Sequence, residues 1–262
     1  MQTTLINTTI PCYPANLEKM RKNIITQAID VLGRDGAHDL FHNHKGRKAL
    51  HRYPLIQYRV HNHKLSLFAV GEAVPALLKV VTEADLDNRA HLMTLNNVTI
   101  QKTKAEIKPS NRDEYYRLMD WIAFNNETFN DKWNKTFTLI ERVGLLNNAI
   151  SGHLKILGKQ LLSTEEATSM DGELYMLTHR KTQLLYGNKV MGFNVIFRTK
   201  FHLPEFFALG RGVSLGAGTF QKLRNNPEGG LIGREKKFFK KSNEIIIRQY
   251  SNENQNQKMS IL

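Results

Sequence analysis

Cysteine is nearly missing from this chain: Cys12 is the only one in 262 residues. A single thiol excludes an internal disulfide and any zinc site built from several thiolates. Long hydrophobic runs are missing as well. The most apolar stretches, Leu65 to Val70 and Ala73 to Val81, stop far short of the roughly 20 apolar residues a membrane-spanning helix needs. Residues 1–10 have neither a basic start nor a continuous apolar segment, so no secretory signal is expected. The expected setting is a reducing cytoplasm, away from membranes. Carboxylates are the other scarce group, with 24 Asp+Glu against 37 Lys+Arg and a net charge of +13. That excess favours a polyanionic partner, nucleic acid being the commonest, over a protein that is merely basic.

What remains has the composition of a globular chain, long enough for one large domain or two small ones. Thr3 to Ile10 alternates as a strand does. Leu17, Met20, Ile24, Ile25, Ala28 and Val31 then recur at helical spacing over 17–32. Gly33 to Gly36 is expected to end that helix. Tyr53 to Val60 and Lys64 to Val70 predict a hairpin turning at His61-Asn62-His63, where Asn tolerates a left-handed turn. A helix from 71 to 81 and a strand from 98 to 107 complete the order strand, helix, strand, strand, helix, strand. That is the split β-α-β of ferredoxin-like folds, which RNA-recognition modules share.

The polar run Lys108 to Asp113 is the expected domain boundary. Beyond it, Tyr115 to Phe124 predicts a strand, and Phe129, Trp133, Phe137, Ile140, Leu146, Ile150 and Leu154 trace the stripe of a long helix. Ser163 to Gly172 is expected as loop. Strands at 173–185 and 191–201 meet at Tyr186 to Lys189, and Thr219 to Leu223 supplies a closing strand. The expected class is therefore α+β: two tandem ferredoxin-like, RRM-like domains with antiparallel sheets, at 1–110 and 111–250, and a flexible tail at 251–262.

Two stretches carry chemistry. In Leu40-Phe41-His42-Asn43-His44-Lys45-Gly46, followed by Arg47, Lys48, His51 and Arg52, two imidazoles lie one residue apart among cations. In extended backbone, residues i and i+2 point the same way, so both rings could address one group; in a helix they would diverge. Two histidines with pKa near ~6.5 suit a reaction that takes one proton and gives another. The competing readings are a hydrogen-bonded loop and a metal site. The latter would draw on Asp35, His38, Asp39, His61 or His63, but no Asp stands in the usual His-x-His-x-Asp place, where Lys45 and Gly46 follow, and the Lys45 cation opposes a metal. The second stretch, Gly210 to Gly218, holds four glycines with Arg211 and Ser214, letting backbone amides come close to a phosphate. It lacks the Gly-Lys-Ser/Thr ending of a nucleotide-binding loop.

Taken together, Leu40 to His44, Arg52 to Tyr58, Gly71-Glu72, Tyr115 to Asn125 and Phe193 to Phe220 resemble the CRISPR-associated endoribonucleases that cut precursor CRISPR RNA within its repeats. The likeness is greatest to their archaeal and Bacteroidetes-type branch. Gly210 to Thr219 is similar to that family's C-terminal glycine-rich loop, with Gly216-Ala217-Gly218 where Gly-Phe-Gly is usual. The resemblance implies RNA bound across two ferredoxin-like domains and cleavage without metal or cofactor. In that cleavage a ribose 2′-hydroxyl attacks the adjacent phosphate, leaving a 2′,3′-cyclic phosphate and a 5′-hydroxyl. It implies that His42 and His44 act as acid and base, in an order left open, with Lys45 or Lys48 as oxyanion donor. Lys48 is placed with the catalytic pair. Lys45, Arg47, Arg52, Gln57, Gly210, Arg211, Gly212, Ser214, Gly216, Gly218 and Lys222 are the expected RNA contacts. By family analogy, a CRISPR effector complex and a second copy of the chain are further partners. A non-catalytic repeat-binding protein and, behind it, a metal-dependent nuclease are the alternatives.

Overall fold

A computed structural model of the chain describes residues 2–11, 17–41, 44–45, 48–49, 52–61, 64–83, 99–136, 138–185, 188–205 and 207–224. The expected tail at 251–262 and the segment 225–250 lie outside them. Among the described residues no helix is long and apolar enough to cross a membrane. Two compact units emerge, one of Met1–Ile107, Ile156–Thr164 and Gly212–Gly216, the other of Lys108–Lys155, Glu165–Arg211 and Ala217–Leu262. Neither is a continuous stretch of chain. Only the first borrows from the other's half of the sequence, and the glycine stretch is shared out between them.

In the first unit the elements run β1 (Gln2–Pro11), α1 (Leu17–Leu32), α2 (Arg34–Phe41), β2 (His44–Lys45), β3 (Lys48–Ala49), β4 (Ile56–His61), β5 (Lys64–Val70), α3 (Ala73–Glu83) and β6 (Thr99–Glu106). Four strands form one antiparallel sheet in the order β4-β5-β1-β6. Placing the first strand between the third and fourth is the ferredoxin-like arrangement the element order predicts. The apolar residues that fix the helices are the buried ones: Ile24 and Ala28 on α1, and Ala73, Leu77 and Val80 on α3. The hairpin pairs His61 with Lys64, while His63 and Asn62 lie outside the described residues.

Gly33, at φ 77, ends α1 as expected, and the chain then enters a second helix at Arg34 that the sequence reading did not foresee. Ala37 and Phe41, one helical turn apart, are both wholly buried, and that burial outweighs the turn-like composition of Arg34 to Gly36.

The second unit begins with β7 (Lys108–Trp121), then α4 (Leu139–Leu161), whose end from Ile156 on belongs to the first unit, α5 (Thr164–Ser169), β8 (Glu173–Leu185), β9 (Asn188–His202) and β10 (Thr219–Lys222), in the sheet order β10-β7-β9-β8. It is the same strand order a second time. Trp121, Tyr116, Phe193, Phe197, Phe207 and Phe220 fill its core, with Tyr116 stacked on Phe197 at 5.4 Å between ring centres.

The first unit's opening segment ends at Ile107, and the residues expected as the boundary, 108–113, are themselves strand. Lys108 and Pro109 already pair with His202 and Phe201, and the register then jumps to Glu114 opposite Thr199. The polar residues between are looped out within the ladder, which is why they read as a boundary. The expected long helix starts later, at Leu139, after a short helical turn over 126–133. Its start is a capping box: Glu141 N–H donates to Thr138 Oγ1 (3.3 Å) and Thr138 N–H donates to Glu141 Oε2 (3.4 Å). The expected loop at 163–172 contains α5.

Candidate functional site

The chain entering the histidine segment is pinned from two sides within the first unit. Phe41, the last residue of α2, is fully buried, and its carbonyl accepts a hydrogen bond from the Tyr58 hydroxyl at 3.3 Å. On the far side, Arg52 Nη2 donates to Asp39 Oδ1 at 2.6 Å and to the Asp39 carbonyl at 3.2 Å. The segment between these anchors leads toward β4, which starts at Ile56. Within it β2 and β3 form a small hairpin, with His44 opposite Ala49 and Lys45 opposite Lys48 along the backbone. His42 and Arg47 lie outside the described residues, as do the side chains of His44, Lys45 and Lys48.

Two expected RNA contacts have other work. Arg52 is half-buried and held in its ion pair with Asp39. Gln57 is wholly buried: its Nε2 donates to the Pro54 carbonyl at 3.2 Å and its Oε1 accepts from Arg59 Nη2 at 2.8 Å. The strand-like run 53–60 gave no sign of which face β4 would bury. Arg59, which sequence reading passed over, lies over the Phe68 ring at 4.9 Å, and its Nε has no partner among the described residues. Burial lowers its pKa to about 10, against a raising contribution from Tyr53.

The glycine stretch folds as turns around a short 3-10 helix, Val213–Leu215, flanked by Gly212 and Gly216 in left-handed conformation. Gly216 belongs to the first unit and lies on β4. A Cβ there would stand 2.7 Å from the Tyr58 carbonyl, closer than real Cβ atoms come. Tyr58 therefore touches both motifs that the sequence singled out, through its hydroxyl at Phe41 and through its backbone at Gly216. Gly210 belongs to the second unit, where a Cβ would meet the Trp121 indole at 2.5 Å. Gly218 N–H donates to the Asp120 carbonyl at 3.2 Å. Ser214, expected as a phosphate donor, is largely buried. Arg211 is the exposed member: its N–H bonds the Ile122 carbonyl, and its guanidinium has no ion-pair partner among the described residues.

Lys222, also expected at the RNA, is committed inside the second unit. Its Nζ lies 2.6 Å from Glu114 Oε2 and 3.4 Å from His202 Nδ1. Burial pushes the Glu114 carboxyl up. The hydrogen bond and charge of Lys222, with hydrogen bonds from Ser110 and Arg112, outweigh that and hold it below the ordinary carboxylate range. His153 is a second residue the sequence hid, because it lies along the apolar stripe of α4. The Trp121 Nε1–H donates to its Nδ1 at 3.2 Å, and burial, then the Arg211 charge, push its pKa down to about 4. Among the described residues no group of three or more His, Cys, Asp or Glu side chains could hold a metal ion.

Comparison with known proteins covers both units. The family model for the Cas6b N-terminal domain matches residues 2–108, and that for the Cas6b C-terminal domain matches residues 108–223. Among solved structures, a crystal structure of Cas6b superposes with a TM-score of 0.66 at 18% identity, covering 85% of this chain and all of that one. Another, of the CRISPR RNA processing endoribonuclease Cas6b, gives 0.57 at 18% identity with the same coverage. No curated protein matches. The fold of both units agrees with these structures, and the two family models together span 2–223. The chain belongs to the Cas6b family, the CRISPR-associated endoribonucleases its sequence resembles.

Proposed function

We propose that the protein cuts precursor CRISPR RNA within its repeats without a metal ion. The substrate's own 2′-hydroxyl is the nucleophile, so no serine or cysteine of the chain needs activating. One of His42 and His44 takes the hydroxyl proton while the other gives a proton to the leaving 5′-oxygen. The products are a 2′,3′-cyclic phosphate and a 5′-hydroxyl, and the atoms balance with no added reagent. Lys45 or Lys48 faces the charge that builds on the phosphorane oxygens. Acid–base action of this kind contributes about 10² to 10⁴-fold, so positioning and cationic donors supply the rest.

The observation that supports this reading is the convergence on Tyr58. The residue that anchors the backbone just before His42 also carries the glycine turn, so two motifs far apart in sequence share one support. Arg211 is proposed as a phosphate contact, with Lys45 and Arg47 beside the histidines. Delivery of the product to an effector complex, and a homodimer, are proposed partners.

The test is cleavage of repeat RNA in EDTA by the wild type and by His42→Ala and His44→Ala. Full wild-type activity in EDTA, with each variant slowed by at least about 10²-fold at unchanged RNA affinity, is expected. Activity that appears only with Mg²⁺ or Mn²⁺ would refute the mechanism. Binding without any cutting would favour a passive repeat-binding protein.

A further inference from the structure

A pocket of about 360 Å³ opens in the second unit between the segment that follows β7, the middle of α4 and the start of the glycine stretch. Its volume falls within the range of small-molecule sites, roughly 300 to 1,000 Å³. It is an open cleft rather than a sealed cavity. Lys132 and Arg211 line it, and neither has an ion-pair partner among the described residues. No carboxylate lines it. Such a site attracts an anion, and nothing in its own lining neutralises it.

The rest of the lining is suited to a base. Phe124 supplies an aromatic ring, Asn125 and Asn148 supply side-chain amides, the Asn125 Oδ1 already accepting from the Thr128 N–H at 2.6 Å, and Asn148 is exposed. His153 has a fixed tautomer. The indole of Trp121 can only donate, so His153 Nδ1 must accept, and the neutral ring carries its proton on Nε2. Held neutral by burial, that ring offers one N–H donor that does not titrate near pH 7. Two cations, two amides, a ring and a fixed N–H donor in one cleft match the parts of a nucleotide: phosphate, base edge and base face.

We infer that this pocket is a nucleotide subsite of the RNA, with Lys132 and Arg211 on its phosphate and with Phe124, Asn148 and His153 around its base. The inference rests on the RNA-processing reading above but assigns no chemistry to the pocket. It contributes binding, so its loss should raise Kd and leave the chemical step alone.

The test uses the full chain and repeat RNA, with two variants at exposed positions, Lys132→Ala and Asn148→Trp. The first removes a cation and the second fills the cleft. Each should weaken RNA binding by roughly tenfold, the order expected for one stacked base or phosphate contact. Lys132→Ala should also flatten the log–log salt dependence by about 0.7. Single-turnover cleavage at saturating RNA should match the wild type. Wild-type cutting together with wild-type affinity in both variants would overturn the subsite alone. If the wild type binds without cutting, the cleavage mechanism falls, and the same two affinities still decide the subsite. Failure of repeat RNA to bind the wild type would overturn both.

Discussion

Lys222 was a candidate RNA contact from its position beside the glycine stretch, yet its charge is spent on a buried carboxylate. Removing it leaves the buried Glu114 carboxylate with only Ser110 and the exposed Arg112 as partners. Lys222→Ala is therefore expected to destabilise the protein by roughly 3 kcal/mol, at the low end for breaking a buried pair because Lys222 is itself partly exposed. Urea unfolding measures this, and an unchanged midpoint would show the pair to be idle. His153 makes a different prediction. Its pKa falls from 6.5 to about 4 on folding, so the folded state resists a proton that the unfolded chain accepts. Its contribution is present above pH 6.5 and is lost as pH falls through about 4. Unfolding free energy should then drop with acidification more steeply in the wild type than in His153→Gln, by up to about 1.4 kcal/mol per pH unit for the one proton. Parallel curves for the two proteins would contradict the assignment.

At the scale of elements, the glycine turn is fixed by what it packs on. Gly216→Ala would place a side chain against the Tyr58 carbonyl at φ 88, where an L-residue costs about 1 to 2 kcal/mol before the contact is counted. A loss of at least that size in thermal or urea unfolding is expected, and a neutral substitution would mean the turn can move off β4. Strands and long helices were legible from their periods, since Leu77 and Val80, or Ile150 and Leu154, bury one face whatever surrounds them. The misses have separate causes. Arg34 to Phe41 carries turn residues but buries Ala37 and Phe41, a tertiary gain that composition does not show. Ser110 to Asp113 reads as a boundary by its polarity, and that polarity hid the strand it belongs to, because a bulge inside a strand is as polar as a loop. Thr138 and Glu141 did mark the start of α4, in a signal overlooked in favour of the aromatic stripe. The histidine pair was legible as a motif. Tyr58's part was not, because it depends on Phe41 and Gly216, far apart in the chain, each reaching Tyr58.

For the whole molecule, a charge of +13 carried into RNA binding has a measurable consequence. Each phosphate neutralised should steepen the log–log fall of affinity with salt by about 0.7 for single-stranded RNA, so a slope of several such steps is expected. A flat response would remove the electrostatic basis of the interface. Both ferredoxin-like units would then be scaffolds for something other than a polyanion.

The most direct measurement replaces the one ribose at the cut site of repeat RNA with its 2′-deoxy form, with EDTA present throughout. The account predicts that this RNA binds as tightly as the natural one and is not cut. The natural RNA should end in a 2′,3′-cyclic phosphate. Cleavage of the deoxy substrate, or a 3′-hydroxyl product from the natural one, would mean that water or a metal-bound hydroxide attacks instead, and the histidine mechanism would be wrong.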